Sequence, residues 1–227
     1  MSAEQPCCVT TNTLLDTELR YVADDGTEVT TSVRHVDQAR VARGLPVRKI
    51  RSRAGQRHYS GLFWSATTQG HVPYESRLEL DRLWLADFDS SVTWIAAQPF
   101  WMSGRDGDAL RRHAPDFMLS RVGAPPLVVD VKPAQFATKA EVEVVFRWTR
   151  EVCASRGWAY EVWTGGDPVI LANIRALAVG RRRSLFAHDP AALSMSTGLA
   201  RLGDGWEGLT VTNLKTPLSV SDVWGSP

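Results

Sequence analysis

The chain has 227 residues, 44% of them apolar and 22% charged, a composition that fills a core and excludes global disorder. Its net charge of +1 excludes a uniformly basic, DNA-coating protein. No apolar run reaches the ~18–20 residues that span a bilayer, and Met1-Ser2-Ala3-Glu4-Gln5-Pro6 lacks the basic-then-apolar pattern of a secretory signal, so no membrane and a cytoplasmic location are expected. Cys7, Cys8 and Cys153 are an odd number with no C-x-x-C spacing, which fits neither a disulfide framework nor a zinc ribbon.

Charge is unevenly spread. Residues 1–33 hold six acids and one base, whereas residues 40–57 hold seven bases and no acid. A basic stripe attracts phosphate backbones, and it also suits a solvated arm. Leu19–Ala23 and Thr27–Val33 flank Asp24-Asp25-Gly26 and are expected as a hairpin. Gly44 and Pro46 break any helix in the basic segment that follows.

His58–Ser65 reads as extended. Ser76 and Glu79 have capping-box spacing and open a helix with Leu78, Leu80, Leu83, Trp84 and Leu85 as its apolar residues. Val92–Met102 is expected as a strand, Gly104–Asp108 as a turn and His113–Arg121 as a second strand. After the turn Gly123-Ala124-Pro125-Pro126, Leu127–Lys132 is a third strand, stopped by Pro133. Thr138–Arg156 carries a helical stripe (Val142, Val145, Phe146, Trp148, Val152) ended by Gly157. Trp158–Trp163 is a strand, and Asp167-Pro168 opens a helix running to Arg181-Arg182-Arg183. Antiparallel turns followed by a crossover helix imply an α/β fold, a mixed sheet with helices on its faces.

Residues i and i+2 of a strand share a face, so Asp130 and Lys132 are expected to project together. If the two strands pair through the Pro-Pro turn, Asp116 comes near them, and Glu79 lies on the preceding helix. Carboxylates converging with a lysine suit hard-metal phosphodiester chemistry. Carboxylate oxygens hold Mg²⁺ or Mn²⁺, the metal activates water, and a lysine orients that water or offsets developing charge. For D-x-K alone, a structural ion pair at a strand end explains the residues as well.

The ordered words Tyr74-Glu75-Ser76-Arg77-Leu78-Glu79, Gln98-Pro99-Phe100, His113-Ala114-Pro115-Asp116-Phe117 and Val129-Asp130-Val131-Lys132-Pro133 resemble the PD-(D/E)xK nuclease superfamily, and within it the TnsA-type endonuclease subunit of heteromeric transposases. The resemblance covers roughly residues 60–183. It implies a restriction-endonuclease-like core there, with 1–59 as an N-terminal extension and 184–227 as a short C-terminal extension suited to partner docking. It implies a Mg²⁺- or Mn²⁺-dependent site of Glu79, Asp116, Asp130 and Lys132, the three acids as metal ligands. Asp130 stands where the family also carries glutamine. DNA, a transposase subunit and an AAA+ ATPase regulator are the implied partners, with a homodimer as a further assembly. The alternatives are a stand-alone restriction, phage-defence or repair nuclease, and an inactive DNA-binding assembly protein.

Gln98 and His113 are accessory candidates: His113 is equally readable as a partly buried structural histidine, while for Gln98 the hydrogen-bonded buried amide is the preferred reading. Arg48, Lys49, Arg51 and Arg53 have no local acids and are expected to contact phosphates. Trp84, Trp148 and Trp163 fall on apolar faces and belong to the core, while Trp64 and Trp101 are assigned to neither core nor base stacking. Cys153 has no catalytic partner at useful spacing, and no Walker loop is present.

Overall fold

The residues on either side of Asp24-Asp25-Gly26 fold back on one another in the computed structural model, which describes residues 11–48, 59–178 and 214–218. Strand β1 (Glu18–Val22) pairs antiparallel with β2 (Glu28–Ser32), and Gly26 takes the positive φ of 84° that the turn requires. Two short helices frame the hairpin, α1 (Thr11–Leu15) and α2 (Gln38–Arg43). Neither is legible from periodicity, because five or six residues do not complete an apolar stripe. Asp37 starts α2 by accepting hydrogen bonds from the Ala39 and Arg40 N–H groups. The expectations for Cys7, Cys8, Lys49, Arg51, Arg53, Arg181–Arg183 and most of 184–227 fall outside the described residues.

The extended stretch at 58–65 becomes β3 (Gly61–Ser65), paired in a hairpin with β4 (Gly70–Tyr74). Helix α3 (Arg77–Phe88) starts at the expected cap, with Ser76 Oγ accepting the Glu79 N–H at 3.1 Å. Its buried residues are Glu79, Arg82, Leu83, Ala86 and Asp87, while Leu78, Leu80, Trp84 and Leu85 are only partly buried. The inward face is thus more polar than the apolar count suggested. Asp87 is used to hold the β3–β4 hairpin, accepting from Ser65 Oγ at 2.6 Å and from the Thr67 N–H at 2.8 Å.

Two expected strands are each divided. Val92–Met102 separates into β5 (Val92–Ala97) and β6 (Trp101–Asp106), and His113–Arg121 into β7 (Ala109–His113) and β8 (Phe117–Arg121). Gln98 adopts a positive φ of 44°, and Pro99 and Pro115 lack N–H groups, so both stretches leave one sheet and enter another. Then follow β9 (Leu127–Val131), the single turn α4 (Ala134–Ala137), α5 (Ala140–Arg156), β10 (Ala159–Trp163) and α6 (Pro168–Leu177). Gly157 ends α5 in the left-handed conformation, and Asp167 caps α6 ahead of Pro168.

The described strands form two four-stranded sheets, β2-β1-β6-β7 and β10-β9-β8-β5, besides the β3–β4 hairpin. The second is mixed: β5, β8 and β9 are antiparallel, and α5 carries the chain across to β10, parallel to β9. The first joins the N-terminal hairpin to β6, so residues from 14 to 41 share one core with α5 and with one face of the mixed sheet. Side chains alternate across that sheet: Ala96, Met118 and Val128 face this core, while Ile95, Phe117, Leu119 and Val129 face α3 and the β3–β4 hairpin. Among the described residues no helix is long and apolar enough to cross a membrane.

Residues 214–218 lie against α6. Buried Asn173 donates to the carbonyls of Leu214 (2.9 Å) and Thr216 (2.6 Å) and accepts from the Leu218 N–H at 3.0 Å. An amide used at both ends holds this strap where apolar contact with Leu214 and Leu218 is small. Asn173→Ala is expected to destabilise the protein by about 1–3 kcal/mol, read by urea denaturation, because it removes three partly buried hydrogen bonds.

Candidate functional site

The two chain crossings between sheets meet each other. Gln98, between β5 and β6, donates its N–H to the Asp116 carbonyl at 2.7 Å, and Asp116 stands between β7 and β8. The Asp116 N–H donates to the Val129 carbonyl at 3.1 Å, and its carboxylate Oδ2 accepts the Val131 N–H at 2.7 Å. Asp116 is therefore fixed by backbone on both sides, at the head of β8 and beside the end of β9. The Gln98 carbonyl accepts the Val47 N–H at 3.0 Å, which sets Arg48 beside the same place.

Oδ1 of Asp116 accepts no hydrogen bond among the described residues. Arg48 Nη2 lies 3.8 Å from it and 3.7 Å from Glu75 Oε2, an ion-pair distance without hydrogen-bond contact. Burial pushes the Asp116 carboxyl up to about 8, and the negative charges of Asp130 and Glu79 add to the rise. The Val131 N–H and Arg48 oppose it only in part. Burial also raises Glu79. Its oxygens accept from the N–H of Glu75, the residue before the N-cap, at 2.7 Å and from Ser76 Oγ at 2.8 Å.

Asp130 is treated differently. It is buried in β9, and His113 Nε2 reaches its two oxygens at 2.9 and 2.8 Å while the Tyr160 hydroxyl donates to Oδ2 at 2.5 Å. Burial and the Asp130 charge push the Tyr160 hydroxyl well up, so it stays protonated and donating. His113 is thus a hydrogen-bond partner of Asp130. Sequence reasoning missed Tyr160. Its signal was a hydroxyl at the second position of a strand that pairs parallel with β9, in register with Val128 and so diagonal to Asp130.

Lys132 follows β9 directly, with its N–H bonded to the Trp163 carbonyl at 3.0 Å. Its ammonium forms no ion pair or hydrogen bond among the described residues. Gln98 is buried, and its Oε1 has no hydrogen-bond partner there either. The structure brings Glu79, Gln98, Asp116 and Asp130 together with Arg48, and His113 joins them through Asp130. Lys49, Arg51 and Arg53 lie outside the described residues.

All-oxygen donors are the right chemistry for a hard divalent cation. Three acids with one arginine at ion-pair distance from Asp116 leave a positive-charge deficit that such a cation would fill. Among the described residues, no three acidic, histidine or cysteine side chains already converge as a metal-binding group. Asp130 and Glu79 instead direct their oxygens at His113, Tyr160, Ser76 and the Glu75 N–H.

The charge balance has a consequence for stability. The folded-state pKa of Asp116 lies above its ordinary value of 3.8, so its ionised form opposes folding. The penalty is absent below about pH 4, grows as pH rises and is complete above about pH 8. In EDTA, Asp116→Asn is expected to raise Tm by several degrees at pH 8 and to leave it unchanged at pH 4. A thermal melt at both pH values reads the difference.

No protein-family model matches the chain, and no curated protein matches it significantly.

Proposed function

We propose that the chain is a metal-dependent DNA endonuclease with a restriction-endonuclease-like core. The observation that carries this reading is Asp116: a backbone-fixed carboxylate with one oxygen free of hydrogen bonds among the described residues, pushed up to about 8 by burial and two further acids, its other oxygen held by the residue before Lys132. A carboxylate whose pKa is strongly raised by desolvation and neighbouring charges is a candidate functional group. The order α3, β5, β8, β9, α5, β10, with β6–β7 set between β5 and β8, gives a mixed sheet with helices packed beside it, which is compatible with that core.

Asp116 and Glu79 are the residues that would hold Mg²⁺ or Mn²⁺, with Asp130 as third ligand. When bound, the metal polarises a phosphodiester and lowers the pKa of an attacking water. The chain's own residues do the rest. Val131 fixes the Asp116 carboxylate. His113 and Tyr160 hold Asp130 in one orientation. Lys132 offsets charge on the scissile phosphate, and Arg48 turns from the acids to a neighbouring phosphate when DNA supplies one.

The finer reading, a strand-nicking subunit of a heteromeric transposase working in the cytoplasm with a transposase partner and an AAA+ ATPase, rests on the four ordered sequence words. Those words adjoin one another at the site, which supports treating them as one unit. The hydrogen bonds that hold Asp130 favour a second reading, a DNA-binding assembly protein whose acids are structural. Cleavage decides between them. Nicking is expected with Mg²⁺ or Mn²⁺ and not with EDTA, and Asp116→Ala or Lys132→Ala should lower it by at least ~100-fold. Undiminished cutting by Asp116→Ala would remove the nuclease assignment. Slow cutting with little sequence preference is expected of the chain alone, and fast, sharply specific double-strand cuts would favour a stand-alone nuclease.

The basic segment has its own test. Replacing Arg48, Lys49, Arg51 and Arg53 together with alanine should flatten the dependence of log affinity on log salt, by up to ~0.9 for each phosphate the variant leaves unneutralised. An unchanged slope would assign these residues to a solvated arm.

A further inference from the structure

The sheet β2-β1-β6-β7 has one face in the core and one in solvent. Met102 of β6 is fully buried, so Trp101 and Ser103 point the other way. Across the ladder, Arg20 stands directly opposite Trp101, and Arg112 stands opposite Ser103, one diagonal step from the indole. Both arginines are exposed. The Arg112 guanidinium lies 4.4 Å from the Trp101 ring centre, and Arg48 lies 5.8 Å from the same ring. Arg48 is also the residue 3.8 Å from Asp116, so this face runs without a gap into the carboxylate cluster.

A tryptophan half exposed in the middle of a sheet face costs hydration and leaves its π-surface unused by the core. Here the Arg112 guanidinium lies over that surface in a cation–π contact, with Arg48 at the outer limit of one. A nucleobase stacks on an indole through its own π-face, and the arginines around the ring match the phosphates on either side. The acids on this face beside them are Glu18, opposite Ser103, and Glu28, one diagonal step from Arg20. Bases inside a duplex are not accessible to such a ring, so the occupant is an unpaired stretch of strand.

We propose that Trp101, flanked by Arg20, Arg48 and Arg112, is a subsite for an unpaired nucleotide adjoining the scissile phosphate. Its base stacks on the indole, and its phosphates take the guanidinium groups. This rests on the nucleic-acid reading given above. It adds that the strand is recognised opened, and on the N-terminal sheet.

The test is equilibrium binding in EDTA, by fluorescence anisotropy, of the full chain to a labelled short oligothymidylate and to an abasic strand with the same number of phosphates. Wild type is expected to bind the thymidylate about ten-fold more tightly than the abasic strand. Trp101→Ala should erase that preference, and Trp101→Phe should keep most of it. Arg112→Ala, at an exposed position that leaves folding intact, should weaken both strands equally and reduce the salt slope by about one. Equal binding of the two strands by wild type, or an unchanged preference in Trp101→Ala with a normal melt, overturns the subsite. Should Trp101→Ala not fold, loss of the preference in Trp101→Phe or an unchanged salt slope in Arg112→Ala overturns it instead. Asp116→Asn separates this from the nuclease reading: it should abolish nicking with Mg²⁺ and leave the preference intact. A preference for base-bearing strand without any nicking by wild type would keep the subsite and remove the nuclease.

Discussion

Everything at the site depends on how the chain changes sheets. Gln98 and Asp116 lie where β5 passes to β6 and β7 passes to β8, and a single hydrogen bond of 2.7 Å between their backbones joins the two crossings. A crossing takes the backbone out of both ladders, and its polar groups must find other partners. Asp116 meets this demand on three sides, with its N–H on Val129, its carbonyl on Gln98 and its carboxylate on Val131. The carboxylate is therefore fixed by the fold itself, not by a rotamer preference. Gln98 holds the other end in a left-handed conformation, φ 44°, that a side chain with a Cβ disfavours. The strain is held in place because its carbonyl and N–H are both engaged, by Val47 and Asp116.

Asp130, buried, and Asp116, half-buried, differ in how the fold meets their charge. Asp130 has two side-chain donors, His113 and Tyr160, aimed at its oxygens. Asp116 has one backbone donor, and an arginine that remains at 3.8 Å. Burying a carboxylate is costly unless hydrogen bonds or an opposite charge offset the lost hydration. The offset is ample at Asp130 and incomplete at Asp116, and the incomplete one sits between two further acids. The fold tolerates this because the strands that hold Asp116 are anchored elsewhere, by Phe117, Met118 and Val129 in two apolar cores.

Local signals carried much of the architecture. The Asp-Asp-Gly hairpin, the Ser76 cap, the strand from Leu127, the Gly157 stop and the Asp167-Pro168 start all stand within a residue or so of where composition and spacing put them. The sheet crossings were not legible. Val92–Met102 and His113–Arg121 are continuous in β-forming residues, and nothing in the order of side chains says that a strand has changed partners. Proline at 99 and 115 was the available mark. The site was legible in its acids, which stand out in apolar surroundings. It was not legible in the groups that orient them, because Tyr160 and Arg48 come from strands and loops distant in sequence and only pairing brings them near. The buried side of α3 shows the same limit. Counting leucines gave the helix, but the face that matters carries Glu79, Arg82 and Asp87.

Arg48 joins the two halves of the molecule. In the sequence it belongs to a basic run without acids, which suggests phosphate as its partner. In the fold it has acids, Glu75 and Asp116, at distances too long for hydrogen bonds, and its buried Nε has no hydrogen-bond partner among the described residues. A guanidinium bound for good to a carboxylate would make the bidentate contact its geometry allows. One that stops short is held by charge alone, and a stronger anion in hydrogen-bonding position would displace it at little cost. The same guanidinium lies 5.8 Å from the ring centre of Trp101 on the N-terminal sheet. Its two environments are thus the carboxylates of Glu75 and Asp116 and the aromatic face of Trp101. This is why the N-terminal hairpin, which shares its sheet with β6, is better regarded as one wall of the site than as an appendage to it.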